Sequence, residues 1–456
     1  MFGFKKNMEI QNSTVSAPFA KKVFEIFSDC ADFSRREIKT CGGLSLMLCA
    51  LEGCVSSTAL AEEIIRPLTY LRASSEDEAA EAVCVGGIYA ASVKRTETPE
   101  DTAAAILAGS AALLFSSFAL CFDIKTDEHR SIEAPTAEKA MLGGKDAFTE
   151  PLRVNTALVR RRLQTPALKL RELTAGQAAK TKLAVFYREG SADPAMLAEI
   201  EALLSEADTV LSAGDIERAL SGKPRSSFPQ LLHTERPDRF VQGLMRGEVG
   251  LICDGLPLGF LLPGTLPGML RVAEDRARHR AVASVLYTLR WAALLLSLLL
   301  PELYVAVAMY HQEMIPYKLL LSVIEAKQSV PFSTAAEVLG MILSFELLQE
   351  AGLRLPESIG QTVSIIGALI VGQSAVEAKV LSPIVIIVVA MAGIGGYAQP
   401  SQELSAAVRL WRFILVLCAA VLGMYGVMAG LMLLLWRLCD TECLGVALMF
   451  PLCDRK

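Results

Sequence analysis

The sequence has few histidines and lacks the short motifs that hold phosphates or activate a nucleophile. Its four histidines, at positions 129, 233, 279 and 311, are scattered, and none has a nucleophile at motif spacing. The patterns GxxxxGK[ST], GxGxxG and GxSxG do not occur. We therefore predict no catalytic residue and no cofactor, and we do not expect an enzyme.

Three further features are missing. No basic run has the length of a nucleic-acid footprint, and the net charge is only −5, so nucleic acid is not an expected partner. The N-terminus lacks the apolar core of a secretory signal, so about the first 280 residues are expected to be cytosolic. The eleven cysteines mostly stand singly among apolar residues, which is typical of reduced thiols. Cys439 and Cys443 have no second pair, so no metal site is predicted.

Charge is scarce in the C-terminal part, where long hydrophobic runs appear instead. Residues 1–280 hold 34 of the 44 basic and 37 of the 49 acidic residues. Ser358–Val376 is uncharged over 19 residues and Val380–Gln402 over 23. Because about 20 apolar residues cross the hydrocarbon core as a helix, these runs predict a membrane hairpin. The alternative is a buried helix pair in a large soluble protein.

Four to five membrane spans are predicted, at residues 285–310, 333–349, 358–376, 380–402 and 413–436. The apolar stretches 316–325 and 333–349 carry Glu337 and Glu346, so one of them is expected to lie in the interface or to re-enter while the other spans. Basic residues at 271–280 place the N-terminal region on the cytoplasmic side by the positive-inside rule.

The first 280 residues alternate between helical and strand-like patterns, which predicts an α/β cytosolic region of two small subdomains. Apolar runs within 103–124, split at Gly109, and runs at 248–263, around the turn 254–257, predict hairpins. The three arginines at 160–162 predict a solvated helix face, with anionic lipid or an acidic partner as the alternative. The predicted divisions are 1–17, a flexible N-terminus; 18–130 and 146–245, the two subdomains; 246–284, a β-hairpin and juxtamembrane connector; 285–437, the transmembrane domain; and 438–456, a tail.

Polar residues at membrane depth are the candidate functional residues, because burying them in lipid is costly. The candidates for an ion path or for interfacial positions are Glu302, Glu346, Gln361, Gln373 and Glu377. Small residues at helical spacing predict close helix packing, since they let backbones approach in lipid. These are Gly360, Ser364, Ala368, Gly372, Gly426 and Gly430.

Several ordered segments resemble one known family. They include FTEPLRVNTALVRRRL (148–163), FPQLLHTERPD (228–238), GEVGLICDGLP (247–257), FELLQEAGLRLP (345–356) and IGQTVSIIGALIVGQSAVEAKVLSP (359–383). The chain is similar to the A subunits of GerA-type spore germinant receptors and to their paralogue, stage V sporulation protein AF.

The resemblance implies a multi-pass protein of the inner spore membrane. It implies as partners a transporter-like B subunit and a lipoprotein C subunit, and it implies a homo-oligomer. The expected function is a nutrient-gated ion channel that releases monovalent cations when germination begins. A non-conducting membrane scaffold that clusters or couples the nutrient-binding subunit is the alternative.

Overall fold

The computed structural model describes residues 17–88, 92–126, 135, 138, 143–177, 179–221, 226–354 and 372–451. The chain divides into two compact units. Residues 1–221 and 231–263 form the first, here called the α/β unit, and residues 222–230 and 264–456 form the second, here called the helical unit. The predicted combination of an α/β N-terminal region with a helical C-terminal region is confirmed.

The first sheet of the α/β unit is antiparallel throughout, in the order β1-β2-β4-β5-β3. Its strands are β1 (Phe33–Lys39), β2 (Ser45–Leu51), β3 (Val93–Thr96), β4 (Ser110–Leu114) and β5 (Ala119–Asp123). Its helices are α1 (Pro18–Ile26), α2 (Ser57–Ala59), α3 (Arg66–Tyr70), α4 (Glu76–Ala82) and α5 (Pro99–Leu107), with π-helical turns at Leu60–Ile65 and Val83–Gly87.

Helices cover both faces of this sheet, which explains why β2, SLMLCAL, is an almost continuous apolar run. Cys49 packs in the cluster that contains α1 and α5, whereas Leu48 packs in the cluster with α3 and α4. The hairpin predicted within 103–124 begins later than expected. The residues before Gly109 form α5, because Thr98 caps its N-terminus with a bond from the Asp101 N–H, and the paired strands are β4 and β5.

The second sheet of the α/β unit is also antiparallel, in the order β6-β7-β9-β10-β8. Its strands are β6 (Leu168–Ala175), β7 (Thr181–Arg188), β8 (Leu232–Thr234), β9 (Val249–Cys253) and β10 (Gly259–Leu262). Its helices are α6 (Leu152–Arg162), α7 (Pro194–Glu206), α8 (Ala213–Leu220) and α9 (Pro237–Arg246). The predicted hairpin at 248–263 forms as β9 and β10, but these strands belong to this sheet and not to a separate connector.

Glycine positions one helix of this layer. A Cβ atom on Gly250 would lie 2.2 Å from the ring of Phe240 on α9. A larger residue at position 250 would therefore push the Phe240 ring, and with it α9, away from the sheet. Phe240 in turn packs edge-on against Phe148 and Phe186, with ring centroids 5.4 and 5.7 Å apart.

A buried ion pair joins the two sheets within the α/β unit. Arg160 on α6 donates from Nε and Nη2 to the two carboxylate oxygens of Asp32, at 2.8 and 2.9 Å. It also donates from Nη1 to the Leu168 carbonyl at 2.7 Å. Both side chains are fully buried, so the prediction that the arginines at 160–162 form a solvated face is wrong for Arg160. A lone bridge between Cys30 and Leu170 continues the same junction.

The described helical unit contains α10 (Leu266–Met269), α11 (Arg280–Tyr310), α12 (Tyr317–Lys327), α13 (Thr334–Arg354), α14 (Pro383–Tyr397), α15 (Gln402–Leu422) and α16 (Met424–Asp440), followed by a two-stranded ribbon of β11 (Glu442–Cys443) and β12 (Val446–Ala447). Among the described residues, α11 and α15 are long and apolar enough to cross a membrane, and α14 is a shorter apolar helix.

The segment 413–436, predicted as one span, is broken in two. Gly423 ends α15 with φ +61° and ψ −135°, a conformation that suits glycine, and α16 starts at the next residue. The two helices form an antiparallel hairpin, because Gly426 lies against Cys418 and Gly430 against Leu415. Uncharged composition alone could not reveal this reversal, since both arms are apolar.

Candidate functional site: buried polar groups of the helical unit

Among the described residues of the helical unit, Glu302 is the most isolated polar residue. It follows Pro301 in α11, its side chain is fully buried, and neither carboxylate oxygen has a hydrogen-bond partner among the described residues. Pro301 has no N–H to donate to the carbonyl of Ser297, so the backbone ladder is interrupted one turn below Glu302. A carboxylate without a partner in such a place is costly, and buried polar groups in membrane helices are by default functional candidates.

Arg412 is a second buried polar group, and it ties three helices together. Its Nη2 donates to the Ser297 hydroxyl on α11 and, at 3.4 Å, to the Ala392 carbonyl on α14. Its Nε has no partner among the described residues. Gly395 and Gly396 on α14 make this contact possible, because a Cβ on Gly395 would lie 2.6 Å from the Ala293 carbonyl. The sequence reasoning missed these two glycines, although the run GIGG was a visible signal.

Glu346 lies beside a cation and not beside Glu302. Arg409 on α15 is 3.4 Å from the Glu346 carboxylate on α13, and it also donates to the Gln349 side chain. Both members of the pair are about one quarter exposed. The pair therefore links α13 to α15, and the negative charge of Glu346 is balanced by Arg409 of the same chain.

A third polar group, which the sequence reasoning noted only as an interruption, is centred on Glu337. Its side chain is fully buried on α13 and accepts the N–H of Ser382, at the start of α14, at 2.8 Å. Lys327, at the end of α12, is 3.7 Å from the other carboxylate oxygen and donates to the Thr334 hydroxyl. The sequence could not predict this pair. Lys327 and Glu337 are ten residues apart and are brought together by a loop, so they do not follow a helical or strand spacing.

The other predicted ion-path residues are not brought to these groups. Gln373 and Glu377 are exposed in the helical segment 372–377. Gln361 lies outside the described residues, as do Gly360, Ser364 and Ala368.

The described small residues differ in how closely they are approached. A Cβ on Gly426 would lie 1.9 Å from the Cys418 carbonyl, and one on Gly430 would lie 2.6 Å from Leu415 Cδ2. A Cβ on Gly372 would make only an ordinary 3.8 Å contact with Ile386. In the hairpin of α15 and α16, the neighbouring helix therefore comes so close that only glycine fits at position 426. At Gly372 there is room for a side chain.

The start of α11 is anchored by a salt bridge at its polar end. Arg290 donates from Nη1 and Nη2 to the two oxygens of Asp275, at 2.7 and 2.9 Å, and also to the Leu270 carbonyl. Burial alone would raise the pKa of Asp275, but the bonds from Arg290 and from the Val272 N–H outweigh it and hold that pKa below its usual range. Near this point the Leu266 N–H donates to the Leu448 carbonyl, so the C-terminal segment lies beside the residues that lead into α11.

These features define a class: a protein with an α/β unit of two antiparallel sheets, followed by a helical unit that has candidate membrane helices and buried polar groups. The sequence model described as Bacillus/Clostridium GerA spore germination protein matches residues 21–456. The chain therefore belongs to the GerA spore germination protein family, a family of germinant receptor subunits.

Individual relatives agree with this assignment. The chain is 36% identical over 421 residues to "Uncharacterized membrane protein YfkQ" of Bacillus subtilis (strain 168), covering 91% of this chain and 82% of the relative. It is 31% identical to "Spore germination protein KA" of the same organism, covering 96% and 82%. It is 31% identical to "Spore germination protein GerLA" of Bacillus cereus, covering 92% and 87%.

One solved structure is also similar. It is the N-terminal domain of the A subunit of the Bacillus megaterium spore germinant receptor GerK3, with a TM-score of 0.39 and 21% identity, covering 53% of this chain and 92% of that domain.

Proposed function

We propose that this protein is an A-type membrane subunit of a germinant receptor and that it assembles into an oligomeric channel that releases monovalent cations at the start of germination. It acts in the inner spore membrane with its α/β unit in the cytoplasm, beside a transporter-like B subunit and a lipoprotein C subunit. Family membership supports the receptor role, and the helical unit supports the ion path.

The observation that carries the ion path is Glu302. Its carboxylate is buried and has no hydrogen-bond partner among the described residues, and one such group costs several kcal/mol unless it meets water, a cation or a proton. A conducting assembly that opens beside α11 would hydrate this group or bring a cation to it. Rings of carboxylates are a common means of selecting cations in channels.

The polar ends of the helical unit support the proposed orientation. Arg290 pairs with Asp275 at the start of α11, and arginines at 276, 278 and 280 surround that start, which fits a cytoplasmic position by the positive-inside rule. The hydrogen bond from the Leu266 N–H to the Leu448 carbonyl supports a C-terminal segment on the same side. The four to five spans predicted from the sequence belong to this proposal; among the described residues, α11 and α15 are long and apolar enough to cross a membrane.

A different observation favours the alternative of a non-conducting scaffold. Arg409 pairs with Glu346, and Arg412 donates to Ser297, each contact within one chain, so these polar groups link helices to one another rather than forming a hydrated surface. A scaffold needs only such internal links and a lipid-facing exterior.

Flux measurements separate the two functions. The full-length protein would be reconstituted in liposomes, alone and with its partner subunits, as wild type and with Glu302→Gln or Glu302→Leu. A channel predicts cation flux that falls at least about tenfold in the leucine variant, which corresponds to roughly 1.4 kcal/mol on the barrier. The glutamine variant, which keeps the shape, is expected to conduct with weaker preference for cations.

Glu313, which is exposed just beyond the end of α11, provides the matched control, and Glu313→Gln should leave flux unchanged. If a correctly assembled wild-type oligomer conducts nothing under either condition, the channel is excluded and the scaffold remains. If flux occurs and neither Glu302 variant alters it, the ion path does not pass Glu302.

A further inference from the structure

A cavity of about 230 Å³ lies between the end of α11, helix α12 and the start of α13. Its walls are mostly apolar and include Met309, Ile315, Leu320 and Ile324. No residue of α12 is fully buried, so this helix leaves space behind it instead of packing tightly on α11. The cavity is separate from Glu302 and from the Arg412 contacts.

One end of the cavity is polar and carries an ammonium group. Lys327, Ser333 and Thr334 line this end, and Lys327 is the one charged side chain among the described lining residues. An ammonium group has three N–H donors. One of them reaches the Thr334 hydroxyl, and the Glu337 carboxylate lies too far away, at 3.7 Å, for a close hydrogen bond.

The hydroxyls at this end can also donate. Ser333 Oγ accepts the N–H of Ala336, at 3.3 Å, and Thr334 Oγ1 accepts from Lys327, so each hydroxyl still has its own proton. The polar end therefore offers an ammonium donor and two hydroxyl donors, which is a set that suits an anion.

The size of the cavity limits the ligand. An apolar cavity of about 150 Å³ holds the six carbon atoms of benzene, so by proportion 230 Å³ holds about nine non-hydrogen atoms. This is smaller than the roughly 300–1,000 Å³ of pockets for drug-sized ligands and too small for a whole phospholipid. The volume and the lining of the cavity therefore suit a ligand with one short apolar chain and one small charged head.

We propose that this cavity binds a small amphipathic carboxylate, of the size of hexanoate or octanoate. The carboxylate accepts hydrogen bonds from Lys327 and from the Ser333 hydroxyl, and the alkyl chain packs against Met309, Leu320 and Ile324. Glu337 keeps its bond from the Ser382 N–H and remains near Lys327, so binding does not require a buried carboxylate to lose its counter-ion. This inference does not depend on whether the protein conducts ions.

The test is equilibrium binding of ¹⁴C-octanoate to the full-length protein in neutral detergent micelles, with empty micelles as the background. The wild type should show a saturable component of about one octanoate per chain, as expected for one cavity. Octanoate should be displaced by unlabelled hexanoate or octanoate, and octanol and octylamine, which lack the anionic head, should compete at least about tenfold more weakly.

Two pairs of variants locate the site. Val323→Trp fills the cavity and should abolish saturable binding, whereas Leu321→Trp, on the exposed face of the same helix, should leave it intact. Lys327→Met should weaken binding at least about tenfold and Lys327→Arg should retain it. In Lys327→Met, the buried Glu337 carboxylate would lose its nearby cation. The double variant Lys327→Met with Glu337→Gln removes the same ammonium group but leaves no carboxylate unpaired.

Saturable binding that persists in Val323→Trp would overturn the proposal, because the ligand would then lie elsewhere. Equal competition by octanol would also overturn it, since the polar end would then contribute nothing. Binding unchanged in both the Lys327→Met chain and the double variant would exclude Lys327 as the anion partner.

Discussion

Removing Arg160 should selectively destabilise the α/β unit, because it would leave a buried carboxylate without its cation. Asp32 is fully buried and receives two hydrogen bonds from Arg160, at 2.8 and 2.9 Å. In Arg160→Met both bonds are lost, and the Leu168 carbonyl keeps only the weak donor Cys30 Sγ, at 3.8 Å. Breaking a buried pair from one side costs about 3–5 kcal/mol.

The double variant Asp32→Asn with Arg160→Met should be less damaging than Arg160→Met alone. With the charge removed from position 32, the remaining cost comes from neutral buried groups, the new amide at position 32 and the weakly bonded Leu168 carbonyl, at about 1–3 kcal/mol for an unsatisfied buried group. The difference between the two variants, about 2 kcal/mol, measures the penalty of the unpaired carboxylate rather than the value of the ion pair.

Hydrogen exchange of full-length protein in detergent is the suitable assay. The three tryptophans, at positions 291, 411 and 436, all lie in the helical unit, so tryptophan fluorescence does not report on the α/β unit. The amides of β1 and β6 should lose protection in Arg160→Met by roughly 10²-fold to 10⁴-fold, since each 1.4 kcal/mol is tenfold.

Arg161 provides the control from the next position. It is exposed and donates one bond to the Thr126 carbonyl, so Arg161→Met should change protection by less than about tenfold. Protection in Arg160→Met that stays within tenfold of wild type would refute the reasoning about the junction. A double variant as unstable as Arg160→Met would refute the assignment of the loss to an unpaired charge.

Two other predictions concern packing and thiol chemistry. Gly426→Ala should disrupt the hairpin of α15 and α16, because its Cβ would lie 1.9 Å from the Cys418 carbonyl; a lower thermal midpoint in detergent checks this, and Gly340→Ala, with open space around it, should not lower the midpoint. Burial raises the pKa of the Cys49 thiol to about 12, so native protein at pH 8 should alkylate at exposed Cys41 and not at Cys49, and mass spectrometry of the labelled peptides would show a failure.

Local patterns were sufficient for much of the α/β unit. Apolar spacing predicts a helix within 18–30 and short strands at 169–173 and 182–187, and the structure has a helix at 18–26 and strands at 168–175 and 181–188. The prediction of a strand before Gly109 is wrong. The sequence AAAIL at 103–107 is apolar and is compatible with both a strand and a helix. There the N-terminal cap at Thr98 decided the outcome.

The break at Gly423 shows a different limit. Residues 413–436 are uncharged. Their composition indicates only that burial in an apolar environment is favourable, so it cannot distinguish one long helix from two short antiparallel helices. The glycines at 426 and 430 were recognised as packing residues from their spacing. Which helix they approach depends on the reversal, and this is a tertiary property.

The sequence by itself determined the class of each region and the family, because charge density, apolar run length and ordered motifs are properties of the linear chain. Only the tertiary structure decided the partners of the polar residues: Arg160 with Asp32, Glu346 with Arg409, Lys327 with Glu337, and Glu302 with none among the described residues. The reason is physical. The cost of burying a charge depends on what lies within about 4 Å of it, and in this chain those neighbours include residues 128 and 143 positions away.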